Sequence, residues 1–323
     1  MKFNHTFRIF CCALVFMCYG SQQTIACLPE GITFNTQEQI NNFQINYPGC
    51  TQIEGTVVIT SDNITSLEGL SVLTSILGNL EIYNCDALPT LTGLNNIDSI
   101  GGSLLIGKLA YPYYYGNDVL VSLTGLENLI YIGGDLEIGY NDILSSLEVL
   151  NNLTHIGGYL YILNNDALTN FYGLSNIDMV LGELKIRYND GITNLEGLES
   201  INIVVGNLNI SKNNNLINLT GLNNLSVIGG DLEVFQNDEL LTFHGLQNLA
   251  WIDGSVIIGG FDLGVNYGNE KLTDFDGLNS LSNIEGGLIV SGNESLVNLN
   301  GLQNLTSIGV DDSGAGLHII LNE

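Results

Sequence analysis

Basic residues are scarce. Seven Lys and Arg stand against 34 Asp and Glu in 323 residues, for a formal charge of −27. Only five of those seven follow residue 26, too few for the basic stripe that a nucleic-acid binder needs. Long apolar runs are missing as well. A membrane-crossing helix needs about 18–20 apolar residues in a row, and the sequence holds no such stretch. Motifs of catalysis are absent in turn: there is no G-x-S-x-G, H-E-x-x-H, P-loop or C-x-x-C. His155, His244 and His318 fall at repeat positions that other copies fill with unrelated residues, so they read as surface substitutions rather than a metal set. Cys27, Cys50 and Cys85 lack zinc-ligand spacing. A β-helical lyase would need clustered Asp, Arg or Lys, and Arg187 is the only Arg beyond the leader. The expectation is a chain that is not an enzyme and needs no cofactor and no metal.

What is present excludes a disordered acidic tail, because 45% of the residues are hydrophobic and only 13% charged. Gly (39) and Asn (41) are abundant. Both are periodic. Aligning the Leu that follows Gly gives Leu70, Leu94, Leu126, Leu150, Leu174, Leu198, Leu222, Leu246, Leu278 and Leu302, with steps of 24 residues broken twice by 32. Two copies therefore carry an eight-residue insertion, near 107–116 and 259–268.

Within a copy two apolar rules alternate. Leu136 and Ile138 flank Glu137, the mark of a half-buried strand. Leu144, Leu147, Leu150, Leu153 and Ile156 then recur every three residues, which suits a chain that turns corners and points one side chain inward per short segment. Such a coil cannot bury its own top and bottom, so coils must stack. The fold expected is an all-β solenoid of about eleven 24-residue coils over 53–323, roughly 50 Å long at the strand spacing.

Two columns support it. Gly55, Gly78, Gly102, Gly134, Gly158, Gly182, Gly206, Gly230, Gly254 and Gly286 share one corner, which implies positive φ or a close backbone approach. Asn141, Asn165, Asn189, Asn213, Asn237 and Asn293 follow the strand, where a buried Asn can satisfy amides of neighbouring coils. Cys85 holds that place in its own coil and reads as a buried structural thiol. A parallel column, Asp86, Asp118, Asp142, Asp166, Asp190 and Asp238, reads as turn-forming Asp that bonds its own backbone; stacked carboxylates could also hold Ca²⁺.

Residues 1–26 read as a signal peptide, with Lys2 and Arg8 before an apolar run and a small-residue exit at Ala26. That places the chain outside the cell or on its surface. Lipid anchoring at Cys27 is the lesser expectation beside a disulfide. Residues 27–52 form an N-terminal cap with a helix over 36–47, whose apolar side is Ile40, Phe43, Ile45 and Tyr47. Cys50 stands in an inward register beneath that helix and Cys27 on its far side, so a Cys27–Cys50 bridge would tie the cap down.

The segment Cys50-Thr-Gln-Ile-Glu-Gly-Thr-Val-Val-Ile59, followed by coils of the form L-x-x-L-x-x-L-x-x-I-x-G-x-L-x-I, resembles the receptor L-domain, a leucine-rich β-solenoid of growth-factor receptor ectodomains. The Asn-rich version with its N-T-Q-E-Q-I-N-N-F leader is similar to secreted surface proteins of Bacteroidetes. No Cys-rich module or kinase accompanies it here, so receptor signalling does not carry over. The sequence stops just after a strand with no cap motif, which suggests an end-to-end contact or a C-terminal partner domain.

The function expected is recognition or adhesion: binding of a protein or glycan through one side of the solenoid, with a purely structural spacer or surface-layer segment as the alternative. The binding residues expected are Tyr159, Tyr161, Leu163, Lys185, Arg187 and Phe235 on outward strand positions, with Tyr113 and Tyr114 from the first insertion. Exposed aromatic and aliphatic groups beside a Lys–Arg pair make a hot-spot composition. Both insertions leave the coil at one corner and would wall a trough across those strands. The bland reading is that Tyr and Phe simply pair across strands.

Overall fold

A computed structural model describes residues 25–110, 113–262, 265–311, 314 and 316–320. Most of the expected leader, residues 1–24, lies outside these, as does Tyr111 in the first insertion. The described chain winds into a stack of coils whose main wall is a 12-stranded parallel sheet running from Ile32–Phe34 to Leu317–Ile320. Two six-stranded sheets of two-residue strands form a second wall, and turns with short 3-10 segments such as Glu148–Leu150 form the rest.

The alternation read from sequence explains the main wall. Leu136, Leu160, Leu184, Leu208 and Leu232 sit side by side in exact lateral register, and so do Ile138, Ile162, Ile186, Ile210 and Val234. Each is sealed from solvent. Burying one such side chain is worth about 1.5–3 kcal/mol. Every coil contributes them at fixed positions, so the stack is stabilised layer by layer. The every-third-residue leucines, such as Leu144, Leu147, Leu150 and Leu153, fill the interior from the other walls.

The Gly corner turns on close approach rather than on backbone conformation. None of the ten column glycines has positive φ. A Cβ on Gly206 would lie 2.7 Å from the carbonyl carbon of Gly182 in the preceding coil. Positive φ belongs to a different glycine, the one before the aligned Leu, as at Gly197 (φ 106°). It also belongs to the residue just before the Asn column: Asn84, Tyr140, Asn164, Tyr188, Lys212 and Gln236.

The Asn column is a continuous ladder. Asn213 Nδ2 donates to the Ile186 carbonyl at 3.0 Å, and Asn213 Oδ1 accepts from the Asn189 backbone N–H at 3.0 Å. The same pair of bonds repeats from Asn117 to Asn293 except at Asn141, whose Oδ1 accepts from the Asn117 side-chain amide while the Asn117 backbone N–H donates to the Tyr140 carbonyl; Asn117 and Asn269 belong to the ladder because the insertions fall between them and their strands. Cys85 ends the ladder, fully buried, its backbone N–H donating to Asn117 Oδ1. In the Asp column, Asp86, Asp166 and Asp190 bond the next coil rather than their own turn: Asp118 N–H donates to Asp86 Oδ1, Asp190 N–H to Asp166 Oδ1 and Asn214 N–H to Asp190 Oδ1.

At the N-terminal end the expected single helix is two short ones, α1 (Gln37–Asn41) and α2 (Phe43–Asn46), meeting at Asn42. Thr36 and Gln39 form a capping box at the start of α1. Phe34, Ile40 and Phe43 are buried against the first coil, with Phe34 and Phe43 edge to face at 5.9 Å. A disulfide joins Cys27 to Cys50 across 5.8 Å between Cα atoms. It occupies the Cys27 sulfur that thioether lipidation would need. Ala26–Cys27 pairs with Gln52–Ile53, and Ile32–Phe34 pairs with Val57–Ile59, so the cap segment adds a twelfth strand to the eleven expected.

Candidate ligand-binding face

The outer surface of the 12-stranded sheet is set by the same register. One lateral row reads Glu137, Tyr161, Lys185, Asn209, Glu233, and the next reads Gly139, Leu163, Arg187, Ser211, Phe235. The insertions are antiparallel hairpins, Lys108–Ala110 with Tyr113–Tyr115 and Phe261–Asp262 with Val265–Asn266. They leave the wall after Gly107 (φ 79°) and Gly259 (φ 77°), at the level of the second row.

In the first row the side chains interlock. Tyr159 and Tyr161 stack at 5.2 Å. Tyr161 donates its hydroxyl to Glu183 at 2.5 Å, Lys185 pairs with Glu183 at 2.9 Å, and the Lys185 ammonium lies 4.7 Å from the Tyr161 ring centre. Burial and the Glu183 bond both push the Tyr161 phenol upward, so it stays protonated throughout the physiological range. Asn209, in the same outward row, is buried and donates to Glu233.

Leu163 is the clearest departure from expectation: it is only 6% exposed and offers no hot spot. Its outward parity is real, but Gly139 and Ser211 in the same row are buried too. The chain turns at a positive-φ residue directly after this row, which puts Tyr140 and Tyr188 at the corner next to it. Phe235 is half-buried in the same row.

That corner gathers groups the alternation rule could not find. Arg187 and Lys212 lie each 4.8 Å from the Tyr188 ring centre. Lys212 Nζ donates to the Tyr188 hydroxyl at 2.7 Å, and an Arg187 terminal nitrogen reaches it at 3.4 Å. Burial raises the Tyr188 phenol, but the two cations outweigh it and hold its pKa below the usual tyrosine value. Two coils along, Tyr140 packs on Tyr114 of the first hairpin at 4.9 Å between ring centres; burial raises its phenol to about 12. Tyr113 and Tyr114 are 64% and 62% exposed. Lys108, at the foot of that hairpin, pairs with Glu81 at 2.6 Å and lies 5.3 Å from the Tyr83 ring centre. The structure thus brings Tyr114 toward Arg187 through Tyr140 and Tyr188. Their sequence signal is the position just before the Asn column, which reads Tyr140, Asn164, Tyr188, Lys212 and Gln236.

Of the five basic residues among those described, four lie along this strip, each against a tyrosine ring; Lys271 alone pairs elsewhere, with Glu239. The histidines are scattered: His155 stacks on Tyr131, His244 meets Gln247, and His318 lies in the last strand. No group of three or more His, Cys, Asp or Glu suited to a metal occurs among the described residues. No helix among the described residues is long and apolar enough to cross a membrane.

No curated protein matches the chain. A family model does, over the coils that carry Lys185, Arg187, Tyr188, Lys212 and Phe235: residues 176–260 match the Receptor L domain, a ligand-binding family without catalytic activity, in a chain whose described coils form a β-solenoid.

Proposed function

We propose that this chain is an exported, non-catalytic recognition or adhesion module that binds its ligand on the outer face of the 12-stranded sheet, in the span between the two hairpins. One observation carries the reading: in a chain of charge −27, four of the five described basic residues collect on a single strip, each held against a tyrosine. A sheet needing only internal stability would gain as much from neutral cross-strand pairs. Solenoids offer long, rigid faces of this kind, and rigidity lowers the ordering cost of binding. The Receptor L domain match over 176–260 supports ligand binding, and the Cys27–Cys50 bridge supports an oxidising, extracytoplasmic setting.

The site residues of this reading are Tyr159, Tyr161, Lys185 and Arg187, with Tyr113 and Tyr114 at the hairpin edge and Tyr140, Tyr188 and Lys212 added by the corner. The test is a glycan array and a surface-protein pull-down with the full chain, followed by affinity for whatever is retained. Retention abolished by competing ligand and weakened by Tyr161→Ala supports it. A chain that retains nothing specific in either format would favour the spacer reading instead.

A further inference from the structure

Arg187 and Lys212 are anomalous. Lys108, Lys185 and Lys271 each have a carboxylate partner, whereas these two have none among the described residues, in a chain with 34 acids. They are also held together. Both reach the same phenol oxygen, that of Tyr188, at 3.4 and 2.7 Å. Arg187 Nε is buried and bonds nothing. Two cations converging on one oxygen repel each other; the Tyr188 ring and hydroxyl hold both, but no carboxylate pairs with either among the described residues. Clustered like charge at an exposed aromatic edge is an arrangement that a bound anion completes.

We propose that Arg187 and Lys212 form a carboxylate-accepting site, with Tyr188 between them and Tyr140 and Tyr114 beside it, that takes the terminal acidic sugar of a glycan. This rests on the reading of the sheet face as a ligand surface and names the chemistry it selects. The arginine fork and the lysine ammonium supply charge-assisted donors to one carboxylate. Tyrosine faces suit the apolar side of a pyranose ring. A single charge fits better than a polyanion. The field of a −27 molecule repels extended negative chains, while two local cations neutralise one carboxylate at contact. A peptide strand is disfavoured because every strand bearing these residues is already paired on both sides, leaving no edge to extend.

The test uses the full chain and sialyllactose, with lactose as the neutral control and an acidic peptide as the rival class. Substitutions borrow residues already found at these positions in neighbouring coils: Arg187→Ser, as Ser211, and Lys212→Gln, as Gln236 at the same positive φ. Folding is therefore preserved, and the melting temperature verifies it. The expectation is that sialyllactose binds, lactose binds at least ten-fold more weakly, and each substitution weakens sialyllactose about ten-fold, the loss of one charge-assisted bond. Equal affinity for lactose, or unchanged affinity in both variants, overturns the proposal. Binding of the acidic peptide alone overturns the sugar class. No binding of sialyllactose overturns it as well. The broader reading fails separately: Tyr161→Ala, which leaves the cation pair intact, reports whether the sheet face binds any array-identified ligand at all.

Discussion

Gly206 shows how a repeat constrains a single residue. Its backbone lies against Gly182 and the N–H of Glu183 at distances that leave no room for a side chain. Gly206→Val should cost about 1–3 kcal/mol or more, the usual range for overpacking, measured by urea denaturation. Gly158→Val should cost less, because the atom its Cβ meets first is the movable carboxylate of Asp135 rather than backbone. Asn213 is constrained by polarity. Asn213→Leu would strand the Asn189 N–H, at about 1–3 kcal/mol for that buried group, and would take from the Ile186 carbonyl the bond it accepts beside its strand pairing. Amide exchange at Asn189 should accelerate in that variant and stay slow in the parent. Cys85 makes a chemical prediction. Burial, the largest influence, raises its thiol from 9.0 to about 11, so the folded chain holds that proton where the unfolded chain releases it. The stability this provides is complete below pH 9 and is lost as pH rises through 11. Iodoacetamide at pH 8 should leave Cys85 unmodified in the folded chain and alkylate it in urea, and the stability gap between the parent and Cys85→Ala should narrow between pH 9 and 11.

At the scale of elements, the N-terminal cap and the hairpins deviate from the repeat. The cap covers the first coil with α1, α2 and the strand Ile32–Phe34, and the Cys27–Cys50 bridge fastens it to the strand Gln52–Ile53. Loss of such a bridge costs about 2–5 kcal/mol. Cys27→Ser with Cys50→Ser should therefore lower the melting temperature by several degrees, and unreduced peptide mapping of the parent should return the two cysteines as one linked species; two free thiols would contradict the structure. The helix itself shows where periodicity misleads. Residues 36–47 carry a helical apolar side, but Ile45 is 75% exposed, because the chain breaks at Asn42 to keep Phe43 on the coil. The hairpins were legible as insertions from the 32-residue steps, and their common exit point followed from the shared alignment. Their pairing was not, since Lys108–Ala110 and Tyr113–Tyr115 show no alternation distinct from the flanking strand.

Across the whole molecule, a period of 24 fixed almost everything that repeats: the inner Leu and Ile rows, the Asn ladder and the Gly corner all depend on one rule applied coil after coil. What escaped was whatever depends on a neighbour in the adjacent coil. Parity placed Leu163 outside, yet the stacked coils leave it 6% exposed. Arg187 was visible as an outward residue, but its convergence with Lys212 on Tyr188 joins two coils and had no trace in either alone. A functional face on a solenoid is a property of stacking, so a single copy cannot reveal it. The account stands on that face being where ligand binds. The direct measurement is the affinity of an array-identified ligand for the parent and for Tyr161→Ala, Arg187→Ala and Tyr172→Ala, the last an exposed tyrosine on the 3-10 side of the coil. Tyr161→Ala and Arg187→Ala should each weaken binding by more than about 1 kcal/mol with melting temperatures nearly unchanged, as interface hot spots do, while Tyr172→Ala leaves it intact. Loss of affinity in Tyr172→Ala, with both sheet variants at parental strength, would contradict the account and move the site to the opposite wall.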